Sequence, residues 1–171
     1  ISLNSSTGSK FNVFGFHYTD DVEYFHVADL GWKSTGLGTN FVLLPGGSST
    51  LIDGNFAYSN YDISLTESDG FNRSSSISGF NAGLTFNYFM GKDEFKYGIE
   101  VLGFNTAFEY SNVLGTKYEQ EENTTELAGF LKYKKVWDKV VIEPGIRLNY
   151  YSSLSEFSIE PRFGIKYNIN D

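Results

Sequence analysis

The chain has 171 residues, 19.2 kDa, no Cys and 18 Gly, with 18% aromatic residues inside a hydrophobic total of 40% and a formal net charge of -8. This composition excludes a disulfide scaffold and a Cys-based metal or redox site. It also excludes a transmembrane helix, because no apolar run reaches about 18 residues, and a nucleic-acid-binding domain, whose footprint is basic.

Rings favour strands, and Gly and Pro punctuate turns, so the composition points to β-structure. Period-two alternation predicts nine strands, at 10–19, 22–33, 36–44, 51–66, 73–90, 94–110, 123–136, 139–151 and 156–169. Residues 22–32 alternate through Val22, Tyr24, His26, Ala28, Leu30 and Trp32. Residues 52–65 slip near Asn60, and residues 94–108 slip after Val101 to Leu102, Phe104 and Phe108. One-residue slips of this kind predict β-bulges. Phe80, Ala82, Leu84, Phe86 and Tyr88 oppose Asn81, Thr85 and Asn87. The last two segments are the clearest. Ile142, Pro144, Ile146, Leu148 and Tyr150 oppose Glu143, Gly145, Arg147 and Asn149, then Phe157, Ile159, Phe163, Ile165 and Tyr167 oppose Glu160, Arg162 and Lys166. Thr19-Asp20-Asp21, Gly91-Lys92-Asp93 and Trp137-Asp138-Lys139 read as tight turns, and 66–72 and 112–122 as looser polar loops. Short turns at one end and longer loops at the other are the outer-membrane pattern.

Alternation alone fits a soluble barrel, greasy inside, or a membrane barrel, greasy outside. Strands longer than the roughly 9–11 residues needed to span favour the membrane. So do rings at strand ends: Tyr88, Phe89, Phe95, Tyr133, Trp137, Tyr150, Phe157 and Tyr167 are the aromatic-girdle candidates. Asn81, Thr85, Asn87, Glu143, Arg147, Glu160, Arg162 and Lys166 are the lumen-facing candidates. The pairs Glu143 with Arg147 and Glu160 with Arg162 lie on adjacent predicted strands of this face, where cross-strand charge pairing would stabilise it. Asp69, Asn72, Lys117, Glu119, Glu121 and Glu122 are the external-loop candidates. His17 and His26 lack converging partners and read as ordinary strand residues, and the acidic run reads as a solvated loop. No catalytic constellation or phosphate loop is legible. The expectation is no enzyme, no cofactor and no metal. Bacterial single-chain barrels have even strand numbers, and an open nine-stranded sheet would leave edges that lipid penalises. Either the count is off by one or the nine strands are an arc of a larger barrel, and the arc is the expectation.

Several stretches resemble the barrel of TonB-dependent outer-membrane receptors of the Bacteroidetes type. They are Ala28 to Phe41, Phe95-Lys96-Tyr97-Gly98-Ile99-Glu100, and above all Ile142-Glu143-Pro144-Gly145-Ile146-Arg147 followed by Ile159-Glu160-Pro161-Arg162-Phe163. The resemblance implies that residues 1–171 are an all-β, antiparallel, up-and-down transmembrane segment of a 22-stranded barrel, without its plug and TonB-contacting segment. It implies a bacterial outer-membrane location and a share in the energised uptake of a siderophore, glycan, peptide or cobalamin. The implied partners are outer-membrane lipid, the plug and remaining strands, the TonB complex and a surface lipoprotein lid, with no nucleic acid. A soluble barrel binding a small apolar ligand, and a complete small outer-membrane barrel with a structural or adhesive role, are the alternative readings.

Overall fold

The computed structural model describes residues 1–68 and 70–169. It is a single antiparallel sheet of nine strands, each paired with its neighbours in the sequence. They are β1 (Ser2–Asn4), β2 (Lys10–Tyr24), β3 (Ala28–Leu43), β4 (Thr50–Glu67), β5 (Asn72–Met90), β6 (Asp93–Ser111), β7 (Lys117–Trp137), β8 (Val140–Tyr151) and β9 (Glu156–Tyr167). The all-β, up-and-down expectation is borne out. The agreement in strand number hides two compensating differences. The short β1 escaped the sequence pattern, and the three segments expected across 10–44 are two long strands.

Thr19-Asp20-Asp21 is therefore no turn. Those residues pair with Lys33, Trp32 and Gly31 in the middle of a hairpin. The reversal comes at Phe25-His26-Val27, where His26 takes a φ of 60°. Side-chain turn propensity gave way to a continuous cross-strand ladder, whose pairs each stabilise the strand. The turns at Gly91-Lys92 and Asp138-Lys139 stand as expected, with Gly91 and Asp138 at positive φ. The expected long loop 112–122 shrinks to 112–116, because 117–122 continue β7 against β6. The chain crosses the far end in short turns carried on extended strands.

Ladder pairing fixes which side chains share a face. Call the face carrying Arg147 the Arg147 face and the other the Tyr97 face. No register slip occurs in β4 or β6: Asn60 pairs with Ser78, Val101 with Ala82, and Leu102 with Asn81. The expected bulges are absent, so the shift in apolar alternation is a real change of face. Pairing lapses between β7 and β8 opposite Glu143-Pro144. Ser152 donates its N–H to Thr125, so even-numbered β8 residues point to β7, and Pro144 has no N–H to give there.

The sheet has no core of its own. Among described residues, Ala128 is the buried apolar side chain, and Asn87 and Asn149 are the buried polar ones. β1 and β9 do not pair, so the sheet is open among the described residues, with one edge along the short β1 and the part of β2 beyond it and the other along β9.

Several glycines share one packing device. Phe14, Phe16, Phe41, Phe80 and Phe130 lay their rings over Gly38, Gly36, Gly54, Gly103 and Gly98, each the direct ladder partner of its ring. A ring fills the space that a Cβ would take, a cross-strand contact that compensates for glycine in a strand. Gly83, by contrast, makes room for the Asn55 side chain.

Candidate functional site: a polar face opposite an apolar belt

Asn81, Thr85, Asn87, Glu143, Arg147, Glu160, Arg162 and Lys166 all fall on the Arg147 face, linked row by row through the ladder. Their hub is Arg147. Its Nη1 donates to Glu100 at 2.7 Å, its Nη2 lies 3.8 Å from Glu126, and its Nε donates to Asn149 Oδ1 at 2.8 Å. Asn149, 1% exposed, donates onward to Glu160 at 2.8 Å and Ser158 at 3.4 Å. Glu160 also accepts from Arg162 at 2.8 Å. Side chains from β6, β7, β8 and β9 are thereby tied together, and among described residues no buried side-chain polar atom is left unpaired.

The ladder corrects the expected pairs. Arg147 pairs with Glu100 and Glu126 on other strands, and Glu143 pairs with Lys132 at 3.0 Å. Arg162 and Glu160 do pair, but along one strand. Glu100, Glu126 and Lys132 were missed, and Asn149, already on this face by alternation, was not singled out as a site residue. Strand parity could have placed the first three on this face; which strands stand beside one another decided the partners. The row continues in amides: Asn12 donates to Asn40 at 2.7 Å, Asn55 to Asn81, and Asn87 to Asp53 at 2.6 Å. A hollow of about 330 Å³ lies over Lys96, Lys132, Arg147 and Arg162, with Glu100 and Glu143 in its lining.

Tyr88, Phe95, Tyr133, Trp137, Tyr150, Phe157 and Tyr167 share the Tyr97 face. Phe89 does not: it pairs with Glu94 and follows Tyr88 directly, so the pleat turns it to the Arg147 face. On the Tyr97 face Phe86 stacks on Tyr97 at 5.1 Å, and Phe95 packs at 6.4 Å from Tyr133. Asp93 sits at the two-residue-turn end of this girdle. It accepts from Lys135 at 2.6 Å, Tyr133 at 3.3 Å and the Val136 N–H at 3.0 Å, which fastens the start of β6 to the end of β7.

Of the external-loop candidates, Asp69 lies outside the described residues. Asn72 and Lys117 open β5 and β7, and Glu119, Glu121 and Glu122 lie within β7. Lys117 donates to Glu109 at 2.9 Å, and that carboxylate holds the ammonium pKa above its ordinary value.

The apolar belt changes sides along the strands. From Phe80 to Met90, β5 is apolar on the Tyr97 face. Ten residue rises of about 3.4 Å, tilted about 45°, span roughly 24 Å, close to the ~25 Å lipid band of outer-membrane barrels. Its upper limit is the row Gly15–Leu37–Tyr58–Phe80–Gly103–Thr125. Above that row the Tyr97 face is polar and the Arg147 face carries Phe16, Trp32, Tyr61 and Phe104, with Phe14 and Leu102 on the same face one residue below it. A groove of about 260 Å³ runs there over a floor of Gly36, Ala57, Ser59 and Gly79, between Phe14 and Phe16 on one side and Leu102 and Phe104 on the other.

No family model matches the chain, and no curated protein matches it. Among solved structures it resembles the outer membrane transporter YddB from Escherichia coli, at TM-score 0.68 and 13% identity over 94% of this chain. The chain spans 27% of the length of that transporter. It also aligns with the translocator domain of the autotransporter NalP from Neisseria meningitidis, at TM-score 0.42 and 14% identity, covering 99% of this chain and 74% of that one. A third alignment is with Ail, the attachment invasion locus protein of Yersinia pestis, at TM-score 0.37 and 13% identity, covering 93% and 96%. The likeness to the transporter establishes the fold: an antiparallel sheet of the outer-membrane β-barrel kind.

Proposed function

We propose that this chain is a stretch of barrel wall in the bacterial outer membrane, belonging to a receptor for TonB-dependent uptake of a scarce nutrient. One observation carries the reading. Large apolar side chains such as Ile99, Phe163 and Ile165 stand 56%, 71% and 68% exposed on one face of an open sheet, while the opposite face holds a satisfied ionic network. An apolar face of this extent needs a cover, and the spacing of the belt fits lipid. The polar face then lines a lumen.

The open edges support neighbouring strands. Asn168 donates to Lys139, so even-numbered β9 residues point to β8 and alternate β9 groups point outward. Unpaired groups in lipid cost several kcal/mol each, on the order of tens of kcal/mol along such an edge. Further strands remove that cost. A plug would meet the Arg147 hub, and the TonB complex and a surface lipoprotein lid are the further partners of such a receptor. Cargo contact falls on the ring-walled groove between Phe16 and Phe104, above the belt. The chain supplies wall and contact surface and does no catalysis.

Fractionation tests this reading. The protein should sediment with outer membrane, need detergent for extraction, and have an intact mass several times 19.2 kDa. A monomer soluble in buffer without detergent refutes the membrane reading. A heat-modifiable species of 19.2 kDa refutes the larger barrel.

A further inference from the structure

Above the belt, the Tyr97 face is layered in a way the wall itself does not require. The first row beyond the apolar limit is His17–Thr35–Asn60–Ser78–Asn105–Asn123, in which every side chain is a polar hydrogen-bonding group. The next two rows enclose a groove of about 560 Å³. Its floor is small (Gly31, Ser64, Ser74, Ser76 and Ala107), and its sides carry Asp21, Asp62, Glu109, Glu119 and Glu121, with Lys33 as the cation in the lining.

We infer that this groove holds the saccharide head of an outer-leaflet glycolipid whose acyl chains lie on the belt beneath it. The inference rests on the outer-membrane reading above. Three observations carry it. The groove is continuous with the lipid belt on the same face and the same strands. It begins four residues beyond the belt limit and ends six beyond, which at about 3.4 Å per residue and a tilt of about 45° is roughly 10–14 Å above the hydrocarbon, the headgroup level. Its chemistry is that of a polyol partner: hydroxyls and amides donate and accept, and carboxylates accept from sugar hydroxyls. The surplus of carboxylates repels phosphate, so the structure favours a phosphate-poor saccharide.

The test uses the intact protein, extracted in detergent and stripped of lipid. It is titrated with rough-form lipopolysaccharide, its dephosphorylated form and phosphatidylglycerol, and bound lipid is counted by native mass spectrometry. The dephosphorylated glycolipid should be retained about tenfold more strongly than phosphatidylglycerol, as one or two net hydrogen bonds would give. It should also exceed the phosphorylated form. Ser76→Trp and, as a second filling variant, Ser74→Tyr should bring retention down to the phosphatidylglycerol level, with heat-modifiable migration preserved. Thr106→Trp, on the opposite face, should leave it unchanged. Equal retention of glycolipid and phosphatidylglycerol, or no loss in folded filling variants, overturns the inference. Full competition by free core oligosaccharide overturns it in favour of a soluble sugar. Failure to bind any lipid overturns the outer-membrane reading itself, and the inference with it.

Discussion

Replacing Arg147 with Met tests whether the hub on the polar face holds four strands together. The substitution keeps the aliphatic stem and removes the guanidinium. Three consequences follow from the geometry. Glu100 loses a partner at 2.7 Å, but its side chain is 43% exposed, so water repays most of that loss. Glu126, at 3.8 Å and 23% exposed, loses a weaker contact. Asn149 is 1% exposed and loses the Nε donor at 2.8 Å, which leaves its Oδ1 unsatisfied at about 1–3 kcal/mol. The sum is about 2–3 kcal/mol, dominated by the buried amide. Arg147→Lys keeps the charge and loses the Nε bond, so it should cost nearly as much. Urea unfolding of the protein in lipid vesicles, followed by Trp fluorescence, measures both, and a double-mutant cycle with Asn149→Ala isolates their coupling. An Arg147→Met variant within 0.5 kcal/mol of the parent, or a Lys variant indistinguishable from it, would refute the claim that the amide bond dominates.

Ring-covered glycines should be intolerant. Gly103→Ala must displace the Phe80 ring and should cost about 1–3 kcal/mol, whereas Gly129→Ala meets nothing within 4 Å and should be neutral or mildly stabilising in the same unfolding assay. Val13 donates its N–H toward β1, so by alternation Asp20 points its N–H to β3. Asp20→Pro should cost about 3 kcal/mol or more, where a turn would accept it, and slow amide exchange at Asp20 in the parent would report the same ladder. Lys135→Met, which strips Asp93 of its 2.6 Å partner, should fray the β6–β7 end, seen as faster exchange at Val136, with little change around Arg147.

The sequence made the lower half of the wall legible and misread the upper half. In β8 and β9 apolar and polar residues alternate between the two faces, so Ile146 against Arg147 needs no further context. At the belt's upper limit the requirement inverts, and Leu102 and Phe104, on either side of it, appear as a slip in period. With no sheet in view, a slip reads as a bulge; the unbroken ladder shows that the environment changes and the backbone does not. Thr19-Asp20-Asp21 misled for a related reason: polar residues that mark turns elsewhere here continue a paired strand beyond the apolar belt, Thr19 and Asp21 on the Tyr97 face and Asp20 on the other. The hub was half legible. Arg147, Glu160 and Arg162 lay on the expected face, but Glu100 stands 47 residues away, and only strand order brings it to Arg147. The glycine–ring pairs carried no local signal, since each joins residues that the register alone makes partners.

The central claim is that one apolar face changes sides along continuous strands, with lipid against the Tyr97 face below the change and water against it above. The chain contains no Cys, so single cysteines carrying a spin label report each position separately. In native outer-membrane lipid, labels at Leu84 and Ile99 should be accessible to oxygen and shielded from a nickel chelate. A label at Asn72, on the same face and the same strand as Leu84, should show the reverse. Chelate access at Leu84 and Ile99, or oxygen-rich lipid contact at Asn72, would contradict the account.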